Sequence, residues 1–221
     1  MNQQQKNNTM KLPIVKEGVL IAGIFFFIAL FCYTISCLLF GWFHLILNLF
    51  SGLFFILSFF ILYFYRDPER IIVTDDNHLL SPADGRILEI QKDSDRQIIK
   101  IFMSPLNMHI QRAPIAGTIK SIHYNKGRFL PAFDKRAEIE NEQNVIELST
   151  SYGNIEIKQI AGILARRIIC WVNNGDKVTR GQRIGTIKLG SQVDLSLPEY
   201  LHLKVKTSDK VKAGITIIAE R

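Results

Sequence analysis

Hydrophobic positions fall into two regimes along the chain. From Val19 to Phe40 almost every residue is apolar, and Trp42 to Tyr65 is a second such run, broken by His44, Asn48 and a few small residues. About 20 consecutive apolar residues span a bilayer as a helix, so the pattern predicts two transmembrane helices over 18–65 with Gly41 at the bend. His44 and Asn48, near the start of the second run, are expected at the interface or between the helices. Residues 1–17 are a polar tail, Gln- and Asn-rich from Met1 to Thr9 and expected to be disordered. A helical hairpin buried in a soluble protein is the other reading of the same runs.

At Arg66-Asp67-Pro68-Glu69-Arg70 a proline and four charges end the apolar regime, and a soluble domain over 66–221 begins. Its apolar residues come in short Ile- and Val-rich segments separated by Gly, Pro, Asn and Asp, which predicts strands. The candidates are Arg86 to Ile90, Gln97 to Phe102, Gly117 to His123, Asn144 to Thr150, Asn154 to Ile160, Arg167 to Val172, Arg183 to Lys188 and Ile215 to Ala219. Phe129 to Gln143, with Pro131 and a run of charges, reads as a loop with a helical turn and a solvated face.

Two faint repeats run through this domain. Pro82-Ala83-Asp84-Gly85-Arg86-Ile87 echoes Pro114-Ile115-Ala116-Gly117-Thr118-Ile119, and Asp176-Lys177-Val178-Thr179-Arg180-Gly181 echoes Asp209-Lys210-Val211-Lys212-Ala213-Gly214. The Asp-x-Val-x-x-Gly turns resemble those of biotinyl and lipoyl carrier domains, although no carrier lysine tip is present. The expected fold is mainly β, a two-sheet sandwich with lipoyl/biotinyl-like hairpins behind an N-terminal two-helix membrane hairpin.

Charge orients that hairpin. Lys6, Lys11 and Lys16 precede it, Arg66 and Arg70 follow it, and the join around Gly41 carries no charge, so both ends are expected in the cytoplasm and the protein in the inner membrane. The net charge of +7 suits an anionic partner; with membrane segments present this is acidic lipid, and no basic cluster interleaved with aromatics points to nucleic acid. Cys32, Cys37 and Cys170 show no CxxC spacing, so neither a disulfide framework nor a zinc site is expected.

The candidate chemistry centres on Leu189-Gly190-Ser191. If the Gly190 carbonyl is polarised, the Ser191 hydroxyl can attack it and turn the amide into an ester. Elimination then breaks the chain, and the resulting dehydroalanine hydrolyses with loss of ammonia to a pyruvoyl ketone. Such cleavage needs a base, a group to hold the base and donors for the oxyanion. Among the five histidines, His44 lies in the membrane run, His78 in a polar loop, His123 on a strand and His202 in the tail; His109 sits on a turn at a strand end. Asp84, between Pro82 and Gly85, is equally a turn former whose side chain would bond its own backbone.

Five blocks in order change the weighing: Phe64-Tyr65-Arg66-Asp67-Pro68-Glu69-Arg70, Ser81-Pro82-Ala83-Asp84-Gly85, Phe102-Met103-Ser104-Pro105-Leu106-Asn107-Met108-His109, Arg112-Ala113-Pro114 and Leu189-Gly190-Ser191. With them the chain resembles the pyruvoyl-dependent phosphatidylserine decarboxylases, and within these the short, type A branch. The resemblance implies cleavage between Gly190 and Ser191 into a large β chain and a small α chain that stay together as a heterodimer. It also implies a pyruvoyl group derived from Ser191 as cofactor, with no metal and no PLP, and Asp84, His109 and Ser191 as the self-cleavage triad. Longer relatives have a second histidine where Arg112 stands, so either His109 serves both self-cleavage and decarboxylation or the precursor is activated differently; Arg112 is a candidate for the lipid phosphate or carboxylate. Gln192 replaces a threonine of the longer relatives, and Phe129 or Phe133 is a candidate for lining the substrate pocket. The implied reaction converts phosphatidylserine to phosphatidylethanolamine through a Schiff base, in an anionic membrane. The rival reading is a membrane-anchored, lipoyl-like adaptor without catalysis.

Overall fold

The computed structural model describes residues 14–72, 75, 77–93, 95–130, 136–162, 167–187 and 191–221. The chain divides into two compact units, Met1–Glu69 and Arg70–Arg221.

The first unit holds α1 (Lys16–Ser36) and α2 (Trp42–Phe64), of 21 and 23 residues. At 1.5 Å per residue each is about 30 Å long, the thickness of a bilayer core, and both are apolar enough to cross a membrane. Most large side chains point outward, among them Phe27, Phe31 and Leu49, each more than 65% exposed; water would not tolerate so large an apolar face. Ala22, Ala29 and Ser36, seven residues apart, are buried along one line of α1. On α2, Ser51 and Ser58 donate to the Ala29 and Ala22 carbonyls, both at 2.9 Å, so small residues let the backbones approach and hydroxyls lace them. His44 and Asn48 lie between the helices: His44 Nδ1 donates to the Ser36 carbonyl, Asn48 Nδ2 donates to His44 Nε2, and Ser36 Oγ donates to Asn48 Oδ1.

The second unit is mainly β. Its elements are β1 (His78–Leu80), β2 (Gly85–Asp93), β3 (Arg96–Met103), β4 (Ile110–Arg112), β5 (Gly117–Asn125), the short α3 (Ala137–Glu140), β6 (Gln143–Thr150) and β7 (Gly153–Ala161). There follow β8 (Ile168–Cys170), β9 (Lys177–Val178), β10 (Arg183–Ile187), β11 (Ser191–Pro198), β12 (His202–Leu203), β13 (Lys210–Val211) and β14 (Ile217–Glu220). A curled eight-stranded sheet runs in the order β13-β2-β3-β11-β7-β6-β5-β9, and two three-stranded sheets, β1-β14-β12 and β4-β10-β8, complete the fold. Each strand expected from the sequence is present with small shifts at its ends, while β11, a central strand, was not anticipated. The core is formed by alternating residues such as Ile99, Ile101, Ile155, Ile157, Val193 and Leu195.

The repeats become structural equivalents. Leu80 N donates to Pro114 O as Arg112 N donates to Pro82 O; Ile87 N reaches Asp209 O as Ile119 N reaches Asp176 O; Gly214 N reaches Ser81 O as Gly181 N reaches Ala113 O, all at 2.8–3.0 Å. Two related halves thus flank the central pair β11 and β7. Gly181 and Gly214 close the equivalent turns with φ of 73° and 71°, a region open to glycine. A Cβ on either would also run into Ile72, at 2.5 and 2.9 Å.

Candidate active site

Ser191 opens β11 and is wholly buried. Its backbone pairs on one side with Met103 and on the other with Ala161, and its Oγ lies 3.4 Å from Met103 Sδ. Gly190, with Lys188 and Leu189, lies outside the described residues. Ser191, the residue that follows the bond expected to break, is the first residue of the ladder.

The chain reaches that bond from β10. Ile187 N donates to the His109 carbonyl at 3.1 Å and Thr186 Oγ1 to the same oxygen at 2.9 Å. Three residues separate Ile187 from Ser191, a span of at most about 14 Å, so His109 and Ser191 are held in one neighbourhood. A side-chain route joins them as well: Gln111 Nε2 donates to the His109 carbonyl at 3.0 Å and sits 3.6 Å from Met103 Sδ, the sulfur that faces Ser191. Gln111 is braced in turn by Gln159 at 2.8 Å, and Gln159 by Asn144 at 2.7 Å, a buried chain of amides.

The His109 turn is built by Ser104-Pro105-Leu106-Asn107, with proline at the second position as such turns favour. Asn107 N donates to Ser104 O at 2.9 Å, and the Asn107 side chain accepts from both Ser104 N and Ser104 Oγ at 2.8 Å. His109, 2% exposed, places Nδ1 2.8 Å from the Asn107 carbonyl. A carbonyl only accepts, so Nδ1 carries a proton, and the neutral tautomer that this bond selects has its lone pair on Nε2. Here a backbone oxygen sets the tautomer, the task that the sequence reading gave to a carboxylate.

Asp84 is placed differently from a turn-forming aspartate. Its carboxylate takes a two-pronged ion pair from Arg70, at 2.6 Å and 2.9 Å, and a third hydrogen bond from Ala213 N at 2.8 Å. The equivalent turn in the other half carries Ala116 and folds the same way, so the backbone does not require a carboxylate here. Arg70 also donates to the Ala213 carbonyl at 2.6 Å and lies 2.8 Å from Met108 Sδ, the residue before His109. Asp84 is thus connected to the His109 turn through Arg70. The sequence reading took Arg70 for a membrane-flanking charge; at 6% side-chain exposure it belongs to the interior of the second unit. An arginine after a helix end gives no signal of this in sequence.

Arg112, 5% exposed, donates to the Gly181 carbonyl at 3.0 Å within the stacked turns. Phe133 lies outside the described residues, and Phe129 stands at the edge of the 128–142 loop, which Asn141 closes by bonding Leu130 N and O at 2.8 Å. A cleft of about 740 Å³ lined by Ser149, Thr150, Lys177 and Arg180 sits at the β6–β7 turn, about 25 Å along β7 from Ala161, the partner of Ser191.

The opposite face of the sheet carries charge. Gln192, Asp194 and Ser196 alternate with the core residues Val193, Leu195 and Leu197, and α3 supplies Glu138 against them. Both Glu138 oxygens accept from Lys100 Nζ at 2.8 Å, and Lys158 Nζ donates to the Glu138 carbonyl. Burial opposes the Lys100 charge, but Glu138 and Glu89 outweigh it and its pKa is raised. Burial pushes Asp194 from 3.8 up to about 6, with Glu138 adding to the rise and Gln192, Lys158 and Lys100 opposing it. A raised carboxyl pKa stabilises the fold fully below the unfolded value, and that contribution is lost as pH climbs through about 6. Roughly two units correspond to about 3 kcal/mol. Denaturant midpoints of the full chain in detergent should therefore fall between pH 4 and pH 7 relative to those of Asp194→Asn; parallel profiles would exclude this role.

A family model described as phosphatidylserine decarboxylase matches residues 57–219. A phosphatidylserine decarboxylase proenzyme of Desulfotalea psychrophila is 38% identical over 218 residues, 95% of this chain and 97% of the relative. One from Ralstonia pickettii is also 38% identical, covering 97% and 99%. A Methanosarcina mazei protein assigned the name archaetidylserine decarboxylase proenzyme is 47% identical over 163 residues, 74% of this chain and 76% of its own. The match runs from within α2 into β14, including every residue placed above around Ser191, and the chain belongs to the phosphatidylserine decarboxylase family.

Proposed function

We propose that the chain is a proenzyme that cleaves itself between Gly190 and Ser191 and then decarboxylates phosphatidylserine to phosphatidylethanolamine. The observation that carries this reading is the burial of Ser191 at the start of β11, linked through Met103 and Gln111 to a histidine that donates from Nδ1. His109 takes the hydroxyl proton through Nε2 as Ser191 Oγ attacks the Gly190 carbonyl, and the ester formed then eliminates.

The residues around Ser191 suit a pyruvoyl group. Met103 and Ala161 flank the position in the ladder, and the thioether and buried amides beneath it keep bulk water away. A pyruvoyl group at position 191 would supply a ketone able to take up the substrate amine and to serve as the electron sink for loss of carbon dioxide. His109 stands ready to return a proton to the product carbon.

Cleavage leaves the small chain in place. From Ser191 onward it contributes β11, paired on both sides, together with β12, β13 and β14, so the two chains stay together as one heterodimer. In this reading the domain works at the inner leaflet on the cytoplasmic side, where the chain's net charge of +7 gathers anionic lipid. Intact-mass analysis of the purified protein tests the reading: two chains meeting at Gly190 and Ser191, the smaller blocked by pyruvoyl, support it, and a single unbroken chain would falsify it.

A further inference from the structure

We propose that Arg70 is a positioning residue for self-cleavage, clamping Asp84 to the turn that carries His109. This rests on the self-cleavage reading above and adds to it a residue that the Ser-His-Asp scheme does not include.

One guanidinium gathers four acceptor atoms from three residues. Nη1 is 2.6 Å from Asp84 Oδ1 and from the Ala213 carbonyl; Nη2 is 2.9 Å from Asp84 Oδ2 and 2.8 Å from Met108 Sδ. These acceptors come from the turn before β2, the turn before β14 and the turn before β4, far apart in sequence. A planar fork of fixed donors meets such a set, whereas a lysine ammonium has a single nitrogen for all four. Met108 is bonded directly to His109, whose ring is anchored to Asn107, so displacing Met108 displaces the base.

The segment carrying Arg70 is itself fixed. Two residues on, Ile72 packs over the Gly181 and Gly214 turns, where no side chain other than hydrogen fits beneath it. Segment 70–72 therefore straps the two repeat turns together through Ile72 and delivers the guanidinium to Ala213 in the second of them. The equivalent half has Ala116 in place of Asp84, so the pair serves one half only and the symmetric scaffold does not explain it.

The test follows cleavage of freshly synthesised full-length chain in phospholipid vesicles by intact mass, with thermal midpoints measured alongside. Arg70→Ala should slow cleavage on the order of 100-fold, the effect of a displacement near 1 Å at a reacting centre. Arg70→Lys should keep the midpoint and still cleave slowly, and added guanidinium at millimolar concentration should speed Arg70→Ala without moving its midpoint. A folded Arg70→Ala that cleaves at the wild-type rate overturns the proposal. If Arg70→Ala does not fold, Arg70→Lys decides: wild-type cleavage overturns it and slowed cleavage at an unchanged midpoint supports it. A wild-type chain that never cuts sinks the processing reading and this proposal together, whereas normal cutting by both wild type and Arg70→Lys sinks this proposal alone.

Discussion

A Ser191→Ala chain should fold, remain whole at 221 residues and release no carbon dioxide from phosphatidylserine. The substitution removes one oxygen that, among the described residues, approaches the Met103 thioether at 3.4 Å. A lost hydrogen bond of ordinary strength costs about 1 kcal/mol, and one to sulfur costs less, so the ladders to Met103 and Ala161 should hold. The chemical loss is of another order. Without Oγ there is no nucleophile for the Gly190 carbonyl and no carbon-bound oxygen to eliminate, so cleavage falls to the background of an ordinary peptide bond. Mass spectrometry of the variant against wild type, with headspace measurement of carbon dioxide, reads both effects at once. A Ser191→Ala protein that still splits at this bond, or that decarboxylates while whole, would remove Ser191 from the mechanism.

Much of this arrangement is legible in sequence, and the parts that are not share a cause. The two apolar runs are plain because bilayer thickness imposes a length no soluble helix needs, and His44 and Asn48 stand out as the polar residues within them. Most strands are legible because Ile and Val cluster between turn formers. Strand β11 carried a signal that went unused: Val193, Leu195 and Leu197 alternate with Gln192, Asp194 and Ser196, a period of two interrupted by polar residues that make the segment look like a loop. The repeats are visible as letters, but their meaning lies in hydrogen bonds between residues 30 or more positions apart, such as Arg112 to Pro82 and Gly181 to Ala113. The same holds for Arg70. Its identity was read from its neighbours Pro68 and Glu69, while its partners are Asp84, Met108 and Ala213, and no local pattern ties 70 to 213.

His109→Ala should slow self-cleavage by roughly 10²–10⁴-fold, the range for removing a positioned general base. Two observations make the loss large. The Nδ1 bond to the Asn107 carbonyl commits the neutral ring to one tautomer, so no energy is spent reorienting the base. The carbonyl of the same residue receives Ile187 N, Thr186 Oγ1 and Gln111 Nε2, which ties the base to the strand that leads into the scissile bond. Asn107→Ala leaves the accepting carbonyl but opens the turn held by Ser104, so its effect should be smaller and in the same direction; the double variant should be no slower than His109→Ala alone, because both act through one imidazole. Where longer relatives have a second histidine this chain has Arg112, and its Nη1 donates to the Gly181 carbonyl in the repeat turns. A guanidinium cannot act as the base near neutral pH. In the mechanism proposed above, His109 would then perform both proton transfers, one before the cut and one after carbon dioxide leaves; the alternative is a precursor activated by another group. Any His109→Ala protein that does cut, given long enough, should then turn over phosphatidylserine far more slowly than wild type at equal pyruvoyl content. Normal turnover by that material would assign the second transfer to another group, and normal cutting would remove His109 from the first.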